Sequence, residues 1–118
     1  MTDKQVTKKL KRPKVTIGET VRTETGCGHL YVTIGKDNGV IIEVFASLGK
    51  AGGCPKGQLE ALTRSISLGL KYGVPLEEYI QELIGIRCPS PTLVGNPELE
   101  TFSCADAIAK VLKKKLGD

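Results

Sequence analysis

Four cysteines constrain this chain more than any other feature, because each sits where the chain turns or a helix begins: Gly26-Cys27-Gly28, Gly53-Cys54-Pro55, Arg87-Cys88-Pro89 and Ser103-Cys104-Ala105. They lie too far apart for the close Cys-x-x-Cys pair of a zinc knuckle or a thioredoxin-like redox site. A structural cysteine ordinarily sits on a helix or strand face as a small hydrophobe. Cysteines confined to junctions predict thiolates that only the fold brings together, and four thiolates suit a tetrahedral metal site. The alternative is four independent turn cysteines with no shared role.

A metal would be useful to a core this thin. The chain has 118 residues, 40% of them hydrophobic, with no Trp, three Tyr and two Phe, which predicts one domain with little stability to spare. A closed zinc site contributes about 10–16 kcal/mol of apparent binding free energy, as much as the whole net stability of an ordinary domain. No stretch reaches the length of a membrane span, and the N-terminus lacks the apolar centre of a signal peptide. These features predict a cytoplasmic protein with reduced thiols and no membrane association.

The charge is localised. Residues 1–14 carry Lys4, Lys8, Lys9, Lys11, Arg12 and Lys14 against Asp3, a net +5, so within a total of +4 the remainder is −1. The composition predicts a basic, disordered arm over residues 1–14 and a folded domain over 15–118. Such an arm suits weak contact with nucleic acid or another acidic partner, or is simply a solvated tail.

Past the arm, Thr20 to Thr25 alternates as a strand does, and Leu30, Val32 and Ile34 share one face of a second. Asp37-Asn38-Gly39 predicts a hairpin, since Asn-Gly tolerates the positive φ of a type I′ turn. Val40 to Phe45, nearly all apolar, predicts a return strand buried on both faces. Cys54-Pro55 opens a helix with Leu59, Leu62, Ile66 and Leu70 on its core face, widened by Ala61, Ser65 and Leu68. Gly73 caps it. Pro75 opens a second helix through Leu76, Tyr79, Ile80 and Leu83, which stops at Gly85. The three prolines between Cys88 and Glu100 predict a loop. Ser103-Cys104-Ala105-Asp106 reads as a capping box opening a third helix through Ile108, Val111, Leu112 and Leu116. About three strands followed by about three helices make an α+β domain.

Cys54 and Cys104 begin helices, where exposed backbone N–H groups favour the thiolate form. His29, the only histidine, ranks as an additional ligand below Cys27, Cys54, Cys88 and Cys104, because four thiolates already complete a zinc shell. The glycines from Gly49 to Gly57 lack the Lys-Ser/Thr ending of a phosphate loop and suit a backbone closing around Cys54. No catalytic triad or acid–base pair is evident.

Four blocks carry a family likeness: Thr25-Gly26-Cys27-Gly28-His29-Leu30-Tyr31-Val32-Thr33, the run from Phe45 to Cys54, Gly85-Ile86-Arg87-Cys88-Pro89-Ser90-Pro91, and Ser103-Cys104-Ala105-Asp106-Ala107-Ile108-Ala109-Lys110. From Gly26 to Leu116 the chain resembles the TSCPD domain, found at the C-terminal end of adenosylcobalamin-dependent (class II) ribonucleotide reductases and in small stand-alone proteins. The name-giving Thr-Ser-Cys-Pro-Asp reads Phe102-Ser103-Cys104-Ala105-Asp106 here. A more distant similarity runs to NifU/IscU-type iron–sulfur scaffolds, whose three ligand positions match Cys27, Cys54 and Cys104. His29 falls where those scaffolds tend to carry Asp. The first resemblance implies an accessory domain or small subunit, and joined to the four-cysteine zinc reading it predicts a zinc domain that binds a larger ribonucleotide reductase chain and serves deoxynucleotide supply for DNA synthesis. It implies no catalysis by this chain alone and no cobalamin site within it. The second implies an iron–sulfur scaffold or carrier with a NifU/IscU-like fold.

Overall fold

Asn38 and Gly39 take φ values of 52° and 80°, the positive pair a two-residue type I′ turn requires. They join β2 (Gly28–Asp37) to β3 (Val40–Leu48), and β1 (Ile17–Thr25) pairs with the other edge of β2. The result is an antiparallel sheet in the order β1-β2-β3. Three helices follow, α1 (Gly53–Lys71), α2 (Leu76–Leu83) and α3 (Cys104–Leu116), so the chain is α+β as its order of signals predicts. The computed structural model describes residues 8–49, 53–92 and 100–117. Lys50 to Gly52 of the glycine-rich stretch and residues 93–99 of the proline-rich loop lie outside them, as does the arm before Lys8. Among the described residues no helix is long and apolar enough to cross a membrane.

The strands pair so that Leu30, Val32 and Ile34 stand opposite Leu48, Ala46 and Val44. Period-two alternation puts this set on one face, where it meets Leu59 and Ile66 of α1, Leu76 and Ile80 of α2, and Ile108 and Leu112 of α3. One sheet and one helical layer thus share a single core. β1 starts at Ile17, earlier than its composition predicts, because Ile17, Gly18 and Glu19 find partners in Lys36, Gly35 and Ile34.

Two expectations hold only in part. β3 is buried on both faces from Ile42 to Val44 but not at either end of the predicted run, where Val40 is 62% and Phe45 48% exposed. Nor does α1 bury Ala61, Ser65 and Leu68; its buried residues are Leu59, Thr63, Ile66 and Ser67. The helix lies along the free edge of β3 and turns its Thr63–Ser67 stripe to it. The Val44 N–H donates to Ser67 Oγ (3.0 Å), and that hydroxyl donates to the Val44 carbonyl (2.9 Å). One side chain thereby satisfies both backbone groups of an edge residue, as a neighbouring strand would. In α3, Leu116 is likewise exposed rather than part of the core.

Residues 8–16 have no regular secondary structure but lie against the domain. The Leu10 N–H donates to the Lys71 carbonyl (2.8 Å). Arg12 donates from Nε to both oxygens of the buried Glu43 carboxylate (3.1 Å each), an ion pair that holds the guanidinium above its ordinary pKa.

Replacing Ser67 with Ala strands the Val44 N–H and carbonyl at a buried helix–strand seam. The loss is expected to cost about 2 kcal/mol, checked by urea denaturation against an exposed Ser65→Ala control.

Candidate functional site

The cysteine-bearing junctions meet at the end of the sheet where β1 passes to β2. The turn at Gly26-Cys27 is tied by Thr25, whose Oγ1 accepts the Cys27 N–H (3.1 Å) and donates to the Gly28 carbonyl (2.9 Å). Gly26 has no side chain for a steric reason: a Cβ there would lie 1.6 Å from the Ser90 carbonyl oxygen. The Cys27 turn and the Cys88–Ser90 loop therefore touch backbone to backbone. The Cys88 N–H donates to the Phe102 carbonyl (2.8 Å), and the Ser90 N–H donates to Cys88 Sγ (3.4 Å). Beyond it Thr92 and Thr101 exchange two backbone hydrogen bonds (2.7 and 3.0 Å). The Thr101 hydroxyl donates to the Glu24 carbonyl (2.9 Å), pinning this loop to β1.

Cys104 arrives on α3. Ser103 caps that helix, its side chain accepting the Asp106 N–H (3.0 Å). The return half of the box differs from the predicted one: the Asp106 carboxylate accepts from Phe102 N–H (2.9 Å) and from Gly85 N–H (2.7 Å). It also pairs with Lys110 Nζ at 2.8 Å. Asp106 is fully buried. Burial alone would raise its pKa, but Lys110 and the two N–H donors outweigh it and hold the carboxyl below its ordinary value. This carboxylate locks the end of α2 to the start of α3. Phe102, standing where the family pattern has Thr, is covered by Arg87 at 4.3 Å and Lys110 at 4.8 Å from its ring centre.

A cavity of about 440 Å³ opens here, lined by Cys27, Cys88 and Cys104 together with Arg87 and the apolar Leu59, Leu62, Leu83 and Ile86. Cys54 is exposed at the start of α1 and is not part of the lining, although its neighbour Pro55 is. His29 also stands apart, its Nδ1 hydrogen-bonded to Glu24 Oε2, its cross-strand partner. Among the described residues no group of three or more His, Cys, Asp or Glu is placed to hold a metal ion. One expectation is reversed at Cys104. Its helix-start position favours a thiolate, yet burial pushes the thiol up, reinforced by the nearby Cys27 and Cys88 and partly offset by the Thr25 hydroxyl, 3.9 Å from its sulfur.

The sequence motifs mark no role for Thr25 and mark Asp106 only as a cap. Threonine before a Gly-Cys-Gly turn is a local signal for the first. Nothing local reveals that Asp106 reaches Gly85.

The TSCPD domain family matches residues 5–116, and the chain belongs to that family. Over 90 residues it is 33% identical to a vitamin B12-dependent ribonucleotide reductase of Streptantibioticus cattleyicolor, covering 75% of this chain and 14% of that protein. It is 32% identical over 90 residues to the enzyme of the same name from Streptomyces coelicolor (75% of this chain, 9% of that one). Over 72 residues it is 36% identical to the one from Agrobacterium fabrum (60% and 6%). The chain thus spans a small fraction of these relatives. No solved structure matches it.

Two outcomes follow from the geometry. In metal-free protein a thiol reagent should find two fast cysteines, the exposed Cys27 and Cys54, and two slow ones, the half-buried Cys88 and Cys104. Gly26→Ala should force the Ser90 backbone away and move Cys88 to the fast class, read by mass spectrometry of the labelled peptides. Asp106, with a folded pKa below its unfolded value near 3.9, stabilises fully above that unfolded pKa, and the stabilisation is lost as pH falls through the folded pKa. Asp106→Asn should cost about 3 kcal/mol at neutral pH and flatten the acid limb of the stability profile measured below about pH 5.

Proposed function

We propose that this chain is an accessory TSCPD protein of the cytoplasm that holds zinc through Cys27, Cys54, Cys88 and Cys104 and docks on a larger partner, the catalytic chain of a cobalamin-dependent ribonucleotide reductase. The observation that carries the metal reading is the shared cavity wall of Cys27, Cys88 and Cys104. Three soft sulfur donors from three separate junctions line it, the donor chemistry zinc favours, although as they stand they are not yet grouped closely enough to hold an ion. Cys54, one residue from the cavity rim at Pro55, is the fourth donor. Closing the set requires the turn at Cys27 and the first turn of α1 to draw inward. Cys27 and Cys54 are both exposed at the surface. Bound zinc supplies a structural crosslink and no reaction.

The partner reading rests on size. The matched proteins are reductases, and the segment they share with this chain is a small part of each, which suits a support for the enzyme's deoxynucleotide supply rather than its chemistry. The iron–sulfur reading is weaker here, because the cavity joins Cys88, rather than Cys54, to Cys27 and Cys104.

Elemental analysis of protein purified without oxygen should give about one zinc per chain and no visible absorption. Chelation should lower the melting temperature sharply, and each Cys→Ser variant, Cys88→Ser included, should lose zinc while His29→Ala retains it. A brown protein rich in iron and sulfide, or a metal-free protein of unchanged stability, would overturn the reading. Sedimentation with a vitamin B12-dependent ribonucleotide reductase chain tests the partner separately.

A further inference from the structure

On the side of β3 away from the cysteines' cavity, α1 leaves a groove with an exposed aromatic at its centre. Phe45 is 48% exposed and Leu68 beside it 50%. Two hollows flank Phe45. One, of about 440 Å³, is lined by Phe45, Arg64, Ser65, Ser67, Leu68 and Lys71. The other, of about 560 Å³, is lined by Phe45, Ser47, Lys56, Thr63 and Arg64 and also by the acidic Glu60. Lys56, Glu60, Arg64 and Leu68 recur every fourth residue, so they form one stripe along α1. Glu60 is the acid on this stripe, and it holds Arg64 loosely at 3.7 Å in solvent. At the far end the basic arm joins the row, since the Leu10 N–H bonds the Lys71 carbonyl and brings Lys8, Lys9 and Lys11 beside it. Cations thus run from Lys56 through Arg64 and Lys71 into the arm, with an aromatic face between hollows that each have room for a nucleotide.

We infer that the α1–β3 groove, centred on Phe45 and flanked by Lys56, Arg64 and Lys71, binds a single-stranded nucleic acid. One base stacks on the Phe45 ring, its neighbours enter the two hollows, and the phosphates track the row of cations. Charge complementarity together with an exposed ring is the combination that single strands use, and it reads no sequence. A duplex keeps its bases stacked inside and cannot offer one to Phe45. The inference is independent of zinc and of the reductase partner, since no residue of the groove belongs to the cysteine cavity.

The test is fluorescence anisotropy of a labelled oligothymidylate about a dozen nucleotides long, titrated with the full chain at several salt concentrations. Binding should weaken with salt with a log–log slope of about −2, near −0.7 for each of three phosphate contacts. Phe45→Ala should weaken it about tenfold, and Arg64→Ala or Lys71→Ala should each reduce the slope by about 0.7. Phe45 and Arg64 are exposed and Lys71 is half-buried, and circular dichroism should find the variants folded. Because the chain has no Trp, Phe45→Trp introduces a single tryptophan, whose emission, excited selectively over the tyrosines, the oligonucleotide should quench while affinity is kept. The inference is overturned by absence of binding, by unchanged affinity in Phe45→Ala, or by an unquenched Trp. It is equally overturned if neutralising Lys8, Lys9 and Lys11 abolishes binding while the groove variants leave it intact, which would assign the contact to the arm alone.

Discussion

The carboxylate of Asp106 has no contact with water, and everything at the cysteine end of the domain is arranged to keep it charged there. Lys110 neutralises it from one turn further along α3, and the N–H groups of Gly85 and Phe102 each donate to one of its oxygens. A buried ion survives only when it is paired and hydrogen-bonded. These three partners come from the end of α2, the segment before α3 and α3 itself, so satisfying the charge fixes the three pieces of chain relative to one another. Cys88 and Cys104 are carried by those pieces. Their separation is therefore set by a polar network rather than by contacts between sulfurs.

The opposite wall of the cysteine cavity depends on close backbone approach. Gly26 lets the β1–β2 turn touch the Ser90 carbonyl, and Thr25 fixes the shape of the turn from within. Here Cys27 is held without a large apolar contact. A site assembled this way has a firm half, built on α3 and its carboxylate, and a half held by a two-residue turn.

At the other side of the sheet, α1 takes the place of a fourth strand. Ser67 matches both backbone groups of Val44, so the edge is closed against pairing with other chains. The same seating rotates α1 so that Arg64 and Leu68 face outward beside Phe45. Sealing the edge and creating the basic, aromatic-centred groove are two consequences of one helix orientation.

The sequence by itself determined what is local. Asn38-Gly39 specifies the hairpin because few other residue pairs accept two positive φ angles in succession. Pro55, Pro75 and Ser103 specify where helices start, and Gly73 and Gly85 where two of them stop, because caps and missing donors act within one turn of chain. The same locality made the four cysteine junctions and the family blocks legible. Tertiary structure decided which faces those elements present and which cysteines meet. Thr101 bonds Glu24 across 77 residues, and no periodicity in either segment records that contact. The apolar run of β3 looked buried on both faces, yet α1 lies along its edge and leaves Phe45 in solvent. Cys104 begins a helix, which favours a thiolate, but the burial that raises its pKa comes from the elements that close over it. Local backbone preferences act over a few residues, whereas burial and convergence depend on partners the chain supplies only after it has folded.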